Sequence, residues 1–150
     1  MANQIVVLNR VEAEEFDCPY AWGCISIANT EQDFAEIPDE NRVALLQLAF
    51  ADITTPLAGY QLFHDDQAHD ILDFITNYWN EIETLLVHCD AGISRSSAVA
   101  AAIARLKFND ESEFLESPFE PNPRVYRILR EVASGRGDYQ EGEDEYWLLE

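Results

Sequence analysis

Leu85-Leu86-Val87-His88-Cys89-Asp90-Ala91-Gly92-Ile93-Ser94-Arg95-Ser96-Ser97 is the stretch on which the reading of this chain turns. Leu85 to Val87 is an apolar run of the kind that forms a buried strand. A loop containing Gly92 follows, and an alanine-rich helical segment begins near Ser96 or Ser97. A strand, a tight loop and a helix N-terminus in succession make an anion site. The backbone N–H groups of such a loop converge on one point, and the helix dipole adds partial positive charge there. Cys89 stands at the mouth of this cradle and Arg95 closes it. A cradle that holds an anion also favours the thiolate form of a cysteine beneath it. The guanidinium of Arg95 offers a planar fork for two oxygens of the same anion.

A cysteine and an arginine at fixed spacing carry little information alone, and the plain alternative is a buried, inert Cys89 with a salt-bridged Arg95. The context carries more: His88 before the cysteine, Gly92 inside the loop, Ser96 after the arginine, a strand before and a helix after. Taken together, His88-Cys89-Asp90-Ala91-Gly92-Ile93-Ser94-Arg95-Ser96 resembles the signature loop of the cysteine-dependent protein tyrosine phosphatase superfamily, most of all its compact dual-specificity group. The resemblance implies a phosphatase-type α/β domain. It also implies Cys89 as nucleophile and the loop Asp90, Ala91, Gly92, Ile93, Ser94 and Arg95 as the phosphate-binding element. Ser96 is placed to donate a hydrogen bond to the departing thiolate, and His88 to support the loop without acting as a base.

The chain has 150 residues, enough for one domain with a proper core, and its hydrophobic content of 47% excludes global disorder. No stretch approaches the roughly 18 apolar residues of a membrane span. The N-terminus shows no basic region followed by an apolar run, so no secretory signal is expected. Three cysteines do not make a disulfide framework, and a reducing cytoplasm is the simplest compartment. There are 29 acidic residues against 9 basic ones, a net charge of −20, and Lys107 is the only lysine. Nucleic acid and anionic membrane are therefore poor partners for the bulk surface. A solvated surface explains the charge; adaptation to a salty medium is the sharper reading.

In chain order, Ile5 to Leu8 reads as an edge strand, Val11 to Asp17 is acidic and unassigned, and Trp22 to Ala28 reads as a strand with Trp22 as a core anchor. Thr30 to Asn41 is a polar loop, and Val43 to Phe50 has the composition of a buried strand. Asp65 or Asp66 is expected to cap a helix whose stripe is Ala68, Ile71, Leu72, Ile75, Tyr78 and Trp79. Ser97 to Lys107 reads as a small-residue helix at the centre of the fold. Asn109 to Pro121 is a connection anchored by Phe114, Leu115 and Phe119. Asn122-Pro123 starts a last helix with Val125, Ile128, Leu129 and Val132 inside and Gly135 at its end. Residues 137–150 form an acidic tail whose Tyr146-Trp147-Leu148-Leu149 is expected to dock on the domain. Strands and helices alternate, so the expected fold is a single α/β domain, residues 1–150, with a central, mainly parallel sheet flanked by helices.

Phosphate ester chemistry needs an acid to protonate the departing oxygen. Asp52 follows a strand directly and is the choice; Thr54, Thr55, Pro56 and Gly59 give its loop the composition of a lid. Resemblance supports it, because the family's acid lies on the loop before the helix that precedes the signature strand. Asp65 and Asp66 are rivals with an ordinary capping explanation. His64 and His69 lie near these aspartates, but the implied chemistry needs no metal and no cofactor. The expected substrate is a phosphoprotein or a small aryl phosphate, since the loop carries Asp90 where phosphoinositide phosphatases commonly have lysine. The alternatives are a non-catalytic phosphopeptide-binding module and a rhodanese-like sulfurtransferase. Cys18 and Cys24 are either core thiols or partners for an oxidised Cys89, with Cys24 the better placed, on a strand expected beside the signature strand.

Overall fold

The computed structural model describes residues 4–137. Strands β1 (Gln4–Leu8), β2 (Trp22–Ala28), β3 (Arg42–Ala49) and β4 (Thr84–His88) form one sheet in the order β1-β4-β2-β3. Every pairing is parallel, with Val7 opposite Val87, Ile25 opposite Val87 and Ile25 opposite Leu46. β2 and β4 are central and buried throughout, which is why both read as nearly continuous apolar runs. β3 has the same composition but lies at the sheet edge, so it is mostly half-buried and Val43 is exposed. Its sequence overstated its burial because composition does not reveal which strand lacks a neighbour.

Helices α1 (Arg10–Glu14), α2 (Asp65–Tyr78), α3 (Arg95–Phe108) and α4 (Pro123–Gly135) complete the domain. Alternation along the strands divides the interior in two. Ile25, Ile27, Leu85 and Val87 point into the main core, which α2, α3 and α4 close. Trp22, Cys24 and Leu86 point the other way, against Ala13 of α1 and Cys18. Trp22 is fully buried, its indole N–H donating to the Glu40 carbonyl at 2.8 Å and its ring meeting Phe16 edge-on.

α3 is the central helix. Ala98, Ala100, Ala101, Ala102 and Ala104 are all buried, and these small side chains let it lie close to β1, β4 and α4 together. It starts at Arg95, slightly earlier than its sequence indicates, because the Ala98 N–H already reaches the Ser94 carbonyl at 3.1 Å. α2 buries the expected stripe, with Phe74 added and Tyr78 half-buried. Its N-cap is His64, and neither Asp65 nor Asp66 caps it. Both carboxylates sit in the first turn, where they complement the helix dipole, while the His64 N–H donates to the Gln67 side chain at 3.2 Å. α4 begins as read: Asn122 Oδ1 accepts from the N–H groups of Arg124 and Val125 at 3.0 and 3.2 Å. Val132, expected inside, is only half-buried. In the connection before α4, Phe114 is buried and Phe119 packs beside it, but Leu115 is exposed. The unassigned acidic stretch contributes α1, and Asn9 and Glu12 form a reciprocal capping box at its start. The expected docking of the acidic tail concerns residues 138–150, which lie outside the described residues.

The loop after β4 is pressed onto the end of β1. Gly92 has φ +70°, and a Cβ there would stand 2.7 Å from Leu8 C and Asn9 N. Left-handed backbone and contact with backbone both oppose a side chain. Gly92→Ala is expected to lower unfolding stability in urea by about 1–3 kcal/mol. Gly59→Ala shares the left-handed conformation, at φ +86°, but faces open space, so its loss should be smaller.

Candidate active site

The Cys89 loop leaves the carboxyl end of β4, the side of a parallel sheet where clefts open between strand ends and helix N-termini. Cys89 Sγ lies under the loop, 3.3 Å from the Gly92 N–H, which donates to it, and 3.1 Å from Ser96 Oγ. Above it is a cleft of about 430 Å³, bounded by loop residues 89–91 and 93–95 with Asp52 and Glu120 on the far wall. The first turn of α3 is buried, and Ser97 Oγ donates back to the carbonyls of Ile93 and Ser94, so the loop is fastened at its helical end.

Arg95 is 4% exposed. Its Nη1 donates to Asn29 Oδ1 and to the Phe50 carbonyl, both at 2.8 Å, and Nη2 lies 3.7 Å from Asp90 Oδ2. Its Nε is buried and has no hydrogen-bond partner among the described residues. A guanidinium so fixed by one nitrogen presents an unused N–H donor, which is the arrangement that receives an anion.

Asn29 has no counterpart among the residues singled out in the sequence. It follows β2, and it uses both ends of its amide: Oδ1 accepts from Arg95 while Nδ2 donates to Asp90 Oδ2 at 2.9 Å. Its position at the carboxyl end of a strand was the only available signal. Arg10 adds a second brace, since its N–H donates to the Asp90 carbonyl at 3.1 Å and its guanidinium reaches Asp33 and Asp90.

Asp52 joins the cleft just past β3. Its Oδ1 accepts from Ser94 Oγ and Asn122 Nδ2, both at 2.8 Å. Asn122 is itself buried, donates its N–H to the Ser94 carbonyl and caps α4. Asp65 and Asp66 line no part of the cleft. Nor do the two neighbouring histidines: His64 is the α2 cap, and His69 Nδ1 meets Arg136 Nη1 at 3.1 Å. A second cavity of about 500 Å³ adjoins the cleft and shares Asp52 with it; Asn29, Glu31, Tyr60 and Gln61 are among its walls.

His88 is fully enclosed. Nδ1 faces the Cys89 carbonyl at 3.2 Å and Nε2 faces Ser26 Oγ at 2.6 Å. A carbonyl only accepts, so Nδ1 carries the proton and Nε2 accepts from the serine hydroxyl. Burial holds this imidazole below its ordinary value of 6.5, with the charge of Arg10 acting in the same direction. A neutral ring bonded on both nitrogens braces β4 against β2. Cys24 is indeed on the strand beside β4, opposite Leu86, but it points with Cys18 into the second cluster, while Cys89 belongs to the main core. Burial also pushes the Cys24 thiol up, leaving an inert core group.

Comparison with solved structures places this architecture among the phosphatases. The human tyrosine phosphatase-like serine/threonine/tyrosine-interacting protein matches over 88% of this chain and 92% of its own, at TM-score 0.64 and 20% identity. Human DUSP28 matches at TM-score 0.58 over 89% of this chain and 93% of its own, with 15% identity, and PTPMT1 at 0.55 over 89% and 94%, with 19%. The chain thus has the fold of the compact dual-specificity and tyrosine phosphatases. No protein-family model and no curated protein matches its sequence. Among the described residues, no helix is long and apolar enough to cross a membrane.

The state of His88 links the site to pH. In the unfolded chain this histidine takes up a proton below about pH 6.5, whereas the folded chain resists it until lower pH. Its contribution to stability is complete above 6.5 and is lost as pH falls from there through the folded value. Urea unfolding at pH 7.5 and 5.5 should show a larger drop for the wild type than for His88→Gln, which has no imidazole to protonate.

Proposed function

We propose that this protein hydrolyses phosphate monoesters on proteins, phosphotyrosine foremost and phosphoserine and phosphothreonine beside it, through a cysteinyl-phosphate intermediate. The observation that carries the reading is the convergence on one cleft of Cys89 Sγ, an Arg95 guanidinium with a free buried N–H, and the Asp52 carboxylate. The phosphate sits in the 90–95 loop, its oxygens facing the loop amides and the Arg95 fork. Cys89 Sγ attacks phosphorus in line. The S–P bond forms as the P–O bond breaks, and Asp52 gives its proton to the departing phenol or alcohol oxygen. Asp52, now a carboxylate, then takes a proton from water. That water attacks the phosphocysteine, releasing inorganic phosphate and the thiolate, which Ser96 receives with its hydroxyl. No metal or cofactor enters these steps. A reducing compartment such as the cytoplasm would keep Cys89 in its working form.

One observation favours a second reading, a phosphopeptide-binding module without turnover. Asp52 Oδ1 is already engaged by Ser94 and Asn122, and a proton on that oxygen would displace at least one of them. Oδ2 carries no protein hydrogen bond among the described residues and is the oxygen left for proton transfer. A sulfurtransferase would not need a carboxylic acid beside the cysteine, and Asp52 lines the same cleft as Cys89.

Hydrolysis of p-nitrophenyl phosphate and of a phosphotyrosine peptide separates these readings. Cys89→Ser is expected to abolish turnover and retain phosphate-dependent peptide binding, and Arg95→Lys to be severely impaired because an ammonium lacks the fork. Asp52→Asn should lower kcat by about two to four powers of ten on esters with poor leaving groups, and by less on activated ones. Substantial turnover by Cys89→Ser would exclude the covalent route. Thiosulfate:cyanide transfer by the wild type would restore the sulfurtransferase.

A further inference from the structure

The cleft and its neighbouring cavity share an electrostatic peculiarity. Asp52, Asp90 and Glu120 line the first, and Glu31 and Asp52 the second, while Arg95 is the only positively charged residue among the walls of either. Arg95 is buried and already bound to Asn29 and Phe50. The whole chain carries a net charge of −20. A phosphate ester is a dianion near neutral pH, so its approach is opposed everywhere except inside the cradle itself. The site therefore selects against a substrate whose surroundings are also negative.

The cavity beside Asp52 offers the complementary contact. It is about 500 Å³, large enough for a side chain next to the one that bears phosphate. Glu31 on its wall is exposed, and among the described residues its carboxylate makes no ion pair or hydrogen bond, in contrast to Asp33, whose charge is taken by Arg10. Tyr60, 60% exposed, adds an aromatic face that meets no other ring among the described residues. An exposed carboxylate and an open aromatic face on the walls of one cavity suit an ammonium or guanidinium. Resting on the phosphatase reading above, we infer that the substrate is a phosphoprotein segment carrying a lysine or arginine next to the phosphorylated residue. The basic side chain occupies the cavity walled by Glu31 and Tyr60 while the phosphate occupies the Cys89 loop.

Both contacts are solvent-accessible, so the preference is moderate and falls with salt. The test compares phosphotyrosine peptides that differ only in the neighbouring residue: arginine or lysine, glutamine, or glutamate. At low ionic strength kcat/KM should fall in that order, by about tenfold from basic to acidic. The gap should shrink toward about 0.5 M salt, as screening weakens exposed charge pairs. Glu31→Gln should reduce the gap, Glu31→Lys should reverse it, and Tyr60→Ala should weaken the basic peptide most. Binding of the same peptides to Cys89→Ser, read by fluorescence anisotropy, gives the same ranking without turnover. Acidic peptides preferred or equal in both assays, or a gap unmoved by Glu31→Lys, would overturn the inference. Hydrolysis of p-nitrophenyl phosphate by the wild type, and its loss in Cys89→Ser, reports on the phosphatase reading separately.

Discussion

Arg95 is the group on which the site depends. It is a cation enclosed at the first turn of a helix, where the aligned peptide dipoles present positive potential, so its position is electrostatically uphill. A buried charge persists only where polar groups surround it. Here they come from three strands: Asn29 after β2, the Phe50 carbonyl after β3, and Asp90 after β4. The ends of these strands are thereby drawn to one point. Among the described residues Nε remains a donor without a partner, and an anion in the cleft would complete the set.

The signature stretch was legible because each of its requirements is local. Its buried strand needs an apolar run, the turn against β1 needs Gly92 at positive φ, and the helix needs small residues to reach both sheet and α4. Asp52 was legible from its position directly past a strand. Asn29 and Asn122 were harder to see as site residues, because their bonds run to residues about 60 and 70 positions away. Asn122 was readable as a helix cap, and its Oδ1 does cap α4; its Nδ2 serves the site. His64 stands at the α2 N-cap in place of either aspartate, an exchange that local preference disfavours. The exposure of β3 depends on strand order, which only the assembled sheet decides.

The two faces of the sheet separate two kinds of sulfur. Cys89 follows β4 at its carboxyl end and belongs with the helices α2 to α4. Cys18 and Cys24 lie beneath α1, on the other side. Adjacency of strands, which suggested Cys24 as a partner for Cys89, is overruled by the alternation of side chains along a strand. A sheet so built keeps the cysteine of the cleft apart from the two beneath α1 without any change in residue type.

Asn122 has a consequence for the architecture around Asp52. The carboxylate is held by a residue that is fixed as the cap of α4, together with Ser94 of the signature loop. Its place is set in part by a helix more than sixty residues downstream. The same Asn122 amide donates to the Ile53 carbonyl at 3.2 Å, and the Ala51 N–H donates to the Gln61 carbonyl at 2.8 Å, so the segment 53–61 is tied at both ends beside the carboxylate. Between those ties residues 54–60 are exposed, with Gly59 and Tyr60 walling the neighbouring cavity, so this face can change in sequence while its anchored ends keep Asp52 at its station.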